Sequence, residues 1–214
     1  MSTHFAYREK FLWGKFERIS LGSVYPVFDL DLTYGIKGFL DSPFEYFKVS
    51  LRVTDWIQTN PLGYFKYIIS AGKVFGNIPY PLLKLHEGNE TYVYDPLAFN
   101  MMNYYEFVSD QYISLLAEQH FQGFFLNRIP LIRKLRWREV VHCHVLYGNL
   151  SEKNKNLMEF PAGLTGLNQP YYEAGAGIEN IFRLFRIDAL WRFSYLDHPD
   201  VSPFGVRVSM KVSF

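Results

Sequence analysis

The sequence predicts an all-β protein and, more specifically, an antiparallel transmembrane β-barrel of about eight to nine strands. Three observations support this prediction. Apolar and polar residues alternate along most of the chain, aromatic residues make up 19% of it, and short connections alternate with long ones. Successive side chains of a strand point to opposite faces, so alternation gives each strand one apolar and one polar face. Short turns at one end and long loops at the other are typical of outer-membrane barrels.

Composition excludes several other classes of protein. The net charge of +1 gives no basic excess for binding nucleic acid. No stretch approaches the roughly 18 uninterrupted apolar residues that a membrane helix needs. The single cysteine, Cys143, cannot form an internal disulfide. The first residues, MSTHFAYREK, lack the apolar core of a signal peptide, so we expect either a cytosolic protein or the last part of a longer chain.

Eight stretches carry the strand pattern, and a ninth near KFERISLG is weaker. The clearest stretch is FRIDALWRFSY, whose odd positions are apolar and whose even positions are mostly charged or polar. Two residues depart from the pattern, since Ile68 lies on a polar face and Glu139 on an apolar one. In chain order the stretches are VFDLDLTYGIK (27–37), FKVSLRV (47–53), FKYIISAG (65–72), YISLLAEQHF (112–121), LRWREVVHCHVLY (135–147), YEAGAGI (172–178), FRIDALWRFSY (185–195) and GVRVSMKVSF (205–214).

A soluble antiparallel sandwich, whose apolar faces would meet in a common core, shows similar alternation. We favour the membrane barrel because large aromatic residues such as Trp137, Tyr147 and Trp191 stand near the strand ends, where they anchor well at a membrane interface. The polar faces mix both signs of charge, which suits a wet lumen crossed by ion pairs. We predict a polar network in the lumen formed by Arg136, Arg138, Glu173, Arg186, Asp188 and Arg192.

The last strand ends on an aromatic residue, Phe214. In a barrel this residue would lie at the membrane boundary, where an aromatic ring anchors well. The ending also resembles the C-terminal signal of bacterial outer-membrane barrels, which the assembly machinery reads. This resemblance implies that the targeting signal consists of Val206, Val208, Met210, Val212 and Phe214.

The longest connection runs from Phe75 to about Tyr105 and carries no strand pattern. Loops of this length are usually functional or disordered. This one is rich in Pro, Leu, Tyr, Phe and Met and poor in charge, which disfavours disorder. We therefore predict an ordered lid that packs over or into the barrel mouth. Its predicted anchors are Tyr80, Leu83, Phe99 and Tyr104.

The candidate chemistry is sparse. His142 and His144 share a strand face at a spacing that suits zinc, but no third ligand is evident, so we interpret them as polar residues of the lumen. Glu118, Glu173 and Asp188 would need a pocket to act as acids or bases, and we interpret them as members of ion pairs. No hydrolase, zinc-protease or phosphate-binding motif is present. We expect no catalytic activity and no cofactor.

Longer strings carry a family resemblance: GKVFGNIPYPLLKLHEGNETYVYDPLAFNMMNYYEFVSDQY, HFQGFFLNRIPLIRKLRWREV and PYYEAGAGIENIFRLFRIDALWRFSY. From about Tyr25 to Phe214 the chain resembles the C-terminal barrel of a Bacteroidota outer-membrane family, whose members are described as carboxypeptidase-regulatory-like domain-containing proteins of unknown function. The resemblance implies that residues 1–214 are one barrel domain, preceded in the family by a periplasmic domain and further strands. The layout is also similar to the barrel-assembly and two-partner-secretion superfamily, although Lys73–Gly76 lacks the arginine of that superfamily's loop motif.

We therefore expect an integral protein of the bacterial outer membrane that takes part in protein export, surface assembly or envelope transport. Its expected partners are outer-membrane lipid, the barrel-assembly machinery during biogenesis and other envelope proteins, with no nucleic acid. Two alternatives stay open. One is a small structural or pore-forming barrel, and the other is an outer-membrane enzyme such as a lipid hydrolase.

Overall fold

The computed structural model describes residues 1–38 and 41–210 and is built almost entirely of β-strands. Within these residues the strands are β1 Ser2–Ala6, β2 Lys10–Trp13, β3 Arg18–Gly22, β4 Val27–Gly35, β5 Tyr46–Gln58, β6 Tyr64–Gly76, β7 Lys84–Leu85, β8 Phe107–Ser109, β9 Gln111–His120, β10 Arg138–Asn149, β11 Thr165–Gly166, β12 Tyr171–Ile181, β13 Phe185–Arg192 and β14 Phe204–Met210. Val212 and Phe214 of the predicted targeting signal lie outside the described residues.

Nine of the described strands form one antiparallel sheet in the order β1-β4-β5-β6-β9-β10-β12-β13-β14. Each strand pairs with the next one in this order, so the sheet is an up-and-down meander. The prediction of an all-β antiparallel fold is therefore confirmed. The sequence pattern missed β1, a short strand of five residues without clear alternation, and the weak stretch near KFERISLG forms β3 of a separate hairpin with β2.

Each connection between strands lies at one of the two ends of the sheet. One end, here called the turn end, carries the β2–β3 hairpin, the turns after β5 and β12, and the connection between β9 and β10. The other end, the loop end, carries the connections after β4, β6, β10 and β13. The connection after β6 contributes residues 77–106, here called the inner segment, and these lie against one face of the sheet.

The edge of β14 is partly occupied by the inner segment. The N–H of Val208 donates to the carbonyl of Tyr92 at 2.8 Å, and the carbonyl of Val208 accepts from the N–H of Tyr94 at 3.1 Å. These bonds satisfy backbone groups that an edge strand would otherwise leave unpaired. Within the described residues β14 does not pair with β1, so the sheet is open and the predicted closure is not seen.

The two faces of the sheet have an inverted polarity. On β13 the outward side chains of Ile187 and Trp191 are 43% and 42% exposed, whereas the inward Asp188 and Arg192 are 0% and 2% exposed. Soluble proteins usually bury the apolar face of a sheet and leave charged residues in water. Other large apolar residues exposed on the outer face include Phe28, Phe47, Ile69, Phe75, Ile113, Val141, Tyr147, Tyr172, Phe185, Val206 and Val208.

The inner segment supplies the apolar core between itself and the sheet. Phe99 and Met102 of this segment pack with Phe107, Leu146 and Tyr171, which lie in or beside the strands. Ile68, which departs from the alternation of β6, packs against this cluster. A second cluster at the loop end contains Ile78, Leu83, Val108, Leu150 and Leu164.

Short elements close the loop end. Strands β7 and β11 flank β8 in a small sheet of three strands within the described chain. A 3-10 helix at Tyr80–Leu82 precedes β7, and α2 spans Glu152–Lys155. At the turn end, a 3-10 helix at Leu126–Arg128 leads into α1, Pro130–Arg133. In the part of the chain that the structure describes, none of the helices has the length and hydropathy to span a membrane.

Glycines on the inner face make room for polar side chains of neighbouring strands. A Cβ at Gly177 would lie 2.3 Å from Asp188 Oδ1, and a Cβ at Gly175 would lie 2.4 Å from His142 Cε1. Both distances are far shorter than a van der Waals contact, so these positions tolerate no side chain unless the neighbours move.

We predict that Gly177→Val lowers the free energy of unfolding by about 1–3 kcal/mol, the usual cost of overpacking. Ala176→Val is the matched control, because Ala176 lies next to Gly177 on the same strand and points outward. Urea unfolding followed by tryptophan fluorescence measures both variants. Equal stability of the two variants would contradict the close approach of Asp188 to Gly177.

Candidate functional site

The candidate site is a set of charged and polar side chains on the inner face of β9, β10, β12 and β13. These residues are buried because the inner segment covers them. They form three groups, centred on Glu173, on Arg192 and on Arg186, and each group binds the inner segment.

Glu173 is fully buried and uses both carboxylate oxygens. Oε1 accepts the backbone N–H of Asn100 at 2.7 Å and lies 3.0 Å from His144 Nδ1. Oε2 accepts the N–H of Met101 at 2.8 Å and the hydroxyl of Tyr171 at 2.7 Å. A buried carboxylate is costly unless its lone pairs are satisfied, and two of these donors come from the inner segment backbone.

Arg192 binds the end of the inner segment. Its guanidinium donates to both oxygens of Glu106, at 2.9 Å and 2.5 Å, and to the carbonyls of Met101 and Tyr195 at 3.1 Å and 3.0 Å. The paired geometry is the arrangement in which Arg binds a carboxylate most strongly. Oε1 of Glu106 also lies 2.9 Å from His198 Nδ1, so the connection between β13 and β14 joins this group.

Arg186 links a third group of buried residues. It donates through Nε to Asp188 Oδ2 at 2.7 Å and through Nη2 to Glu118 Oε1 at 2.9 Å. The hydroxyl of Tyr94, from the inner segment, donates to the same Glu118 oxygen at 2.7 Å, and the guanidinium lies 4.2 Å from the Tyr94 ring centroid. His120 Nε2 lies 3.2 Å from the other Glu118 oxygen. Burial and the neighbouring Glu118 carboxylate raise the pKa of Tyr94 well above its ordinary value, so it remains a hydrogen-bond donor.

His142 and His144 are both buried between these groups, with ring centroids 5.6 Å apart. His142 Nε2 lies 3.3 Å from Asp188 Oδ1, which places this imidazole beside the Arg186 group. Among the described residues no set of three or more His, Cys, Asp or Glu side chains is arranged to hold a metal ion. The geometry therefore gives the zinc alternative no third ligand.

A hydrogen-bonded serine and histidine pair lies under the inner segment. His86 Nε2 is 2.9 Å from Ser109 Oγ. Ser109 is fully buried, and within the described chain no carboxylate pairs with His86 to orient it as a base. The cavity that His86 lines has a volume of only about 30 Å³. The pair lacks both the orienting acid and the space that acyl transfer requires.

The six residues of the predicted polar network differ in burial. Glu173, Arg186, Asp188 and Arg192 are in the buried network, whereas Arg136 and Arg138 are exposed at the turn end and stay outside it. Arg136 has a φ of 55°, a conformation that interrupts the strand, and β10 begins only at Arg138.

The four predicted anchors of the lid also differ in burial. Leu83 and Phe99 are buried, Tyr80 is half-buried against Phe160, and Tyr104 is 49% exposed. Of the predicted targeting signal, Val206, Val208 and Met210 are exposed on the outer face of β14.

Sequence reasoning missed the residues of the inner segment that complete the network. Tyr94 and Glu106 bind Glu118 and Arg192, but no periodic pattern surrounds them because they lie in a connection. Arg207, on the polar face of β14, was also missed. It donates to the carbonyls of Asn89 and Asn100 and adds a further contact to the inner segment.

The inner segment covers the inner face of the first strands only in part. A polar groove of about 540 Å³ lies along β1, β4, β5 and β6, and Asp29, Asp31, Lys48 and Arg52 line it. The inner segment reaches β6 at Ile68 but leaves this groove open.

His86 makes the packing of the inner segment sensitive to acid. Burial, together with the nearby Lys84 ammonium, lowers the pKa of His86 to about 3. The folded chain then keeps this imidazole neutral, while the unfolded chain protonates it below about pH 6.5. The stabilisation is fully present above that pH and is lost as the pH falls from 6.5 toward 3.

We predict that His86→Gln weakens the acid sensitivity of folding. Below pH 6.5 the unfolding free energy of the wild type should fall by up to about 1.4 kcal/mol per pH unit more than that of the variant. Urea titrations between pH 7 and pH 4.5 measure the difference. Parallel pH profiles of the wild type and His86→Gln would refute the role of His86.

One family model matches the chain, over residues 1–164 of 214, and its description is the C-terminal domain of the DUF5686 family of unknown function. The comparisons with curated proteins and with solved structures gave no significant match. The match covers β1 to β10 and the inner segment, and it includes Glu106 and Glu118 of the candidate site. The chain belongs to the DUF5686 C-terminal domain family.

Proposed function

We propose that the chain forms a bacterial outer-membrane β-barrel domain whose interior is partly filled by the inner segment. The observation that carries this proposal is the inverted polarity of the sheet. Apolar side chains cover the outer face and are exposed, while ionised groups line the inner face and are buried. This is the distribution expected of strands that meet lipid on one side and a polar lumen on the other.

The row of residues at mid-strand illustrates the outer face. Val141, Ala176, Ala189 and Val206 are direct neighbours across β10, β12, β13 and β14, and all four point outward. In water such a belt would be an aggregation-prone patch, whereas in a bilayer it needs no cover. Closure requires that β1 and β14 pair with each other or with additional strands.

The inner segment directs the proposal toward gated export, surface assembly or envelope transport. A barrel that served only as an open pore would leave its lumen free. Here Glu173 and Arg192 bond to the inner segment, and the Arg186 guanidinium packs against the ring of Tyr94 from the same segment. We also propose that the chain is related to the Bacteroidota proteins with carboxypeptidase-regulatory-like domains and shares the layout of the barrel-assembly superfamily. The partners it implies are membrane lipid, the assembly machinery and other envelope proteins.

The competing functions have less support. A small structural barrel would use the same outer face but gives no role to the polar contacts of the inner segment. A lipid hydrolase would need an accessible nucleophile, and Ser109, the serine hydrogen-bonded to His86, is fully buried.

We predict that Ala189→Arg lowers the free energy of unfolding by about 2–4 kcal/mol in phospholipid vesicles, because a charge near the bilayer midplane must be desolvated. Ala189→Leu is the matched control, since it enlarges the same outward side chain without charge and should leave stability nearly unchanged. Reversible urea unfolding from vesicles measures both variants. Equal stability of Ala189→Arg and the wild type, or a wild type that is monodisperse without detergent, would contradict the proposal.

A further inference from the structure

The connection between β9 and β10 has an unusual composition. Between residues 119 and 138 the chain carries five cationic residues and no Asp or Glu. Apolar residues interleave with these charges in the stretch RIPLIRKLRWR. We call residues 124–138 the basic segment.

The basic segment is ordered by its own contacts. Phe124 and Phe125 pack edge to face, and the Arg128 guanidinium lies 4.3 Å from the Phe124 ring centroid. Glu139, the nearest carboxylate in sequence, accepts the N–H of Leu126. The Asn180 amide donates to the Arg136 carbonyl at 2.7 Å, which ties the segment to the turn after β12. The Glu139 carboxylate and the Asn180 amide therefore form hydrogen bonds with the backbone of the segment.

The charged and apolar side chains of the segment point into solvent. Arg133, Lys134 and Arg136 are exposed, and in the described part of the chain none of the three forms an ion pair. Leu131 and Leu135 are 80% and 51% exposed beside them. A soluble surface with this charge alone would be unremarkable, but fixed cations next to bare aliphatic side chains are typical of elements that lie at a membrane interface.

The position of the segment fits such an interface. It leads directly into β10, whose outward residues Val141 and Tyr147 belong to the exposed apolar face. The neighbouring turn places Phe182, 83% exposed, and Arg183 at the same end of the sheet. The apolar side chains of the segment therefore continue the outer face to its edge, and its cations stand where lipid headgroups would begin.

We propose that the basic segment is a binding surface for anionic phospholipid headgroups at the turn end of the barrel. Arg133, Lys134 and Arg136 bind the phosphate groups, while Leu131 and Leu135 enter the adjoining acyl region. The proposal rests on the membrane residence argued above and specifies which lipid the domain selects.

Native mass spectrometry of the protein in neutral detergent with equimolar phosphatidylglycerol and phosphatidylcholine tests this proposal. The test variant is Arg133→Gln/Lys134→Gln/Arg136→Gln. The control variant, Lys37→Gln/Lys153→Gln/Lys155→Gln, removes the same charge from exposed positions at the loop end. Circular dichroism verifies that both variants are folded.

We expect the wild type and the control to retain phosphatidylglycerol in preference to phosphatidylcholine. The test variant should lose about fivefold in this preference for each charge removed, on the order of 100-fold in all. Equal retention of the two lipids by the wild type, or an unchanged preference in the test variant, overturns the proposal. Equal retention would also direct attention to an acidic protein as the partner of the segment.

A separate readout distinguishes this proposal from the proposed function. The wild type is reconstituted into vesicles of phosphatidylcholine alone and extracted with alkaline carbonate. Resistance to extraction supports membrane residence regardless of the lipid preference. A wild type that resists extraction but retains the two lipids equally therefore contradicts only the headgroup site. Complete extraction contradicts both proposals.

Discussion

The structure depends on how buried charges on the inner face of the sheet are satisfied. Glu173 illustrates the constraint, because its carboxylate has no access to water and takes two of its four donors from the backbone of Asn100 and Met101. A buried carboxylate without such donors would be strongly destabilising. The inner segment must therefore occupy one position, and the strands that carry Glu173, Arg186 and Arg192 must keep their register. A shift of one residue would turn each of these side chains to the outer face.

The same constraint explains why the sheet can expose its apolar face. In a soluble sandwich, the apolar faces form the core and the charged faces contact water. Here the core lies between the inner face and the apolar side chains of the inner segment, such as Phe99 and Met102. The outer face then has no partner within the described residues, and a bilayer is the surrounding that this distribution suits. The cations of the basic segment lie at the edge of this outer face, where the proposed headgroup layer would begin.

The sequence predicted the parts of the structure that repeat with period two. Alternation assigned Arg186, Asp188 and Arg192 to the inner face and Ile187 and Trp191 to the outer face, because side-chain direction in a strand follows directly from the backbone. The exceptions to alternation were informative as well. Ile68 faces the apolar cluster of the inner segment, and Glu139 bonds the backbone of the connection before β10.

The rest of the site could not be predicted because it lies in connections. Tyr94 and Glu106 carry no periodic signal, and their pairing with Glu118 and Arg192 depends on how the inner segment folds back on the sheet. Arg136 was placed in the network by extending the alternation beyond the strand, but its positive φ turns the chain there. The partial cover of the β14 edge also depends on long-range pairing, since Tyr92 and Tyr94 bond to Val208.

Hydrogen exchange of the inner segment tests the central claim most directly. If Glu173 and its neighbours hold this segment, the amides of the buried residues 98–102 should exchange about as slowly as those of β10 and β12, since local opening would expose buried charge. Glu173→Ala should make the amides of Asn100 and Met101 exchange rapidly while β10 stays protected. Rapid exchange of residues 98–102 in the wild type, at the rate of the exposed stretch 199–202, would contradict the account.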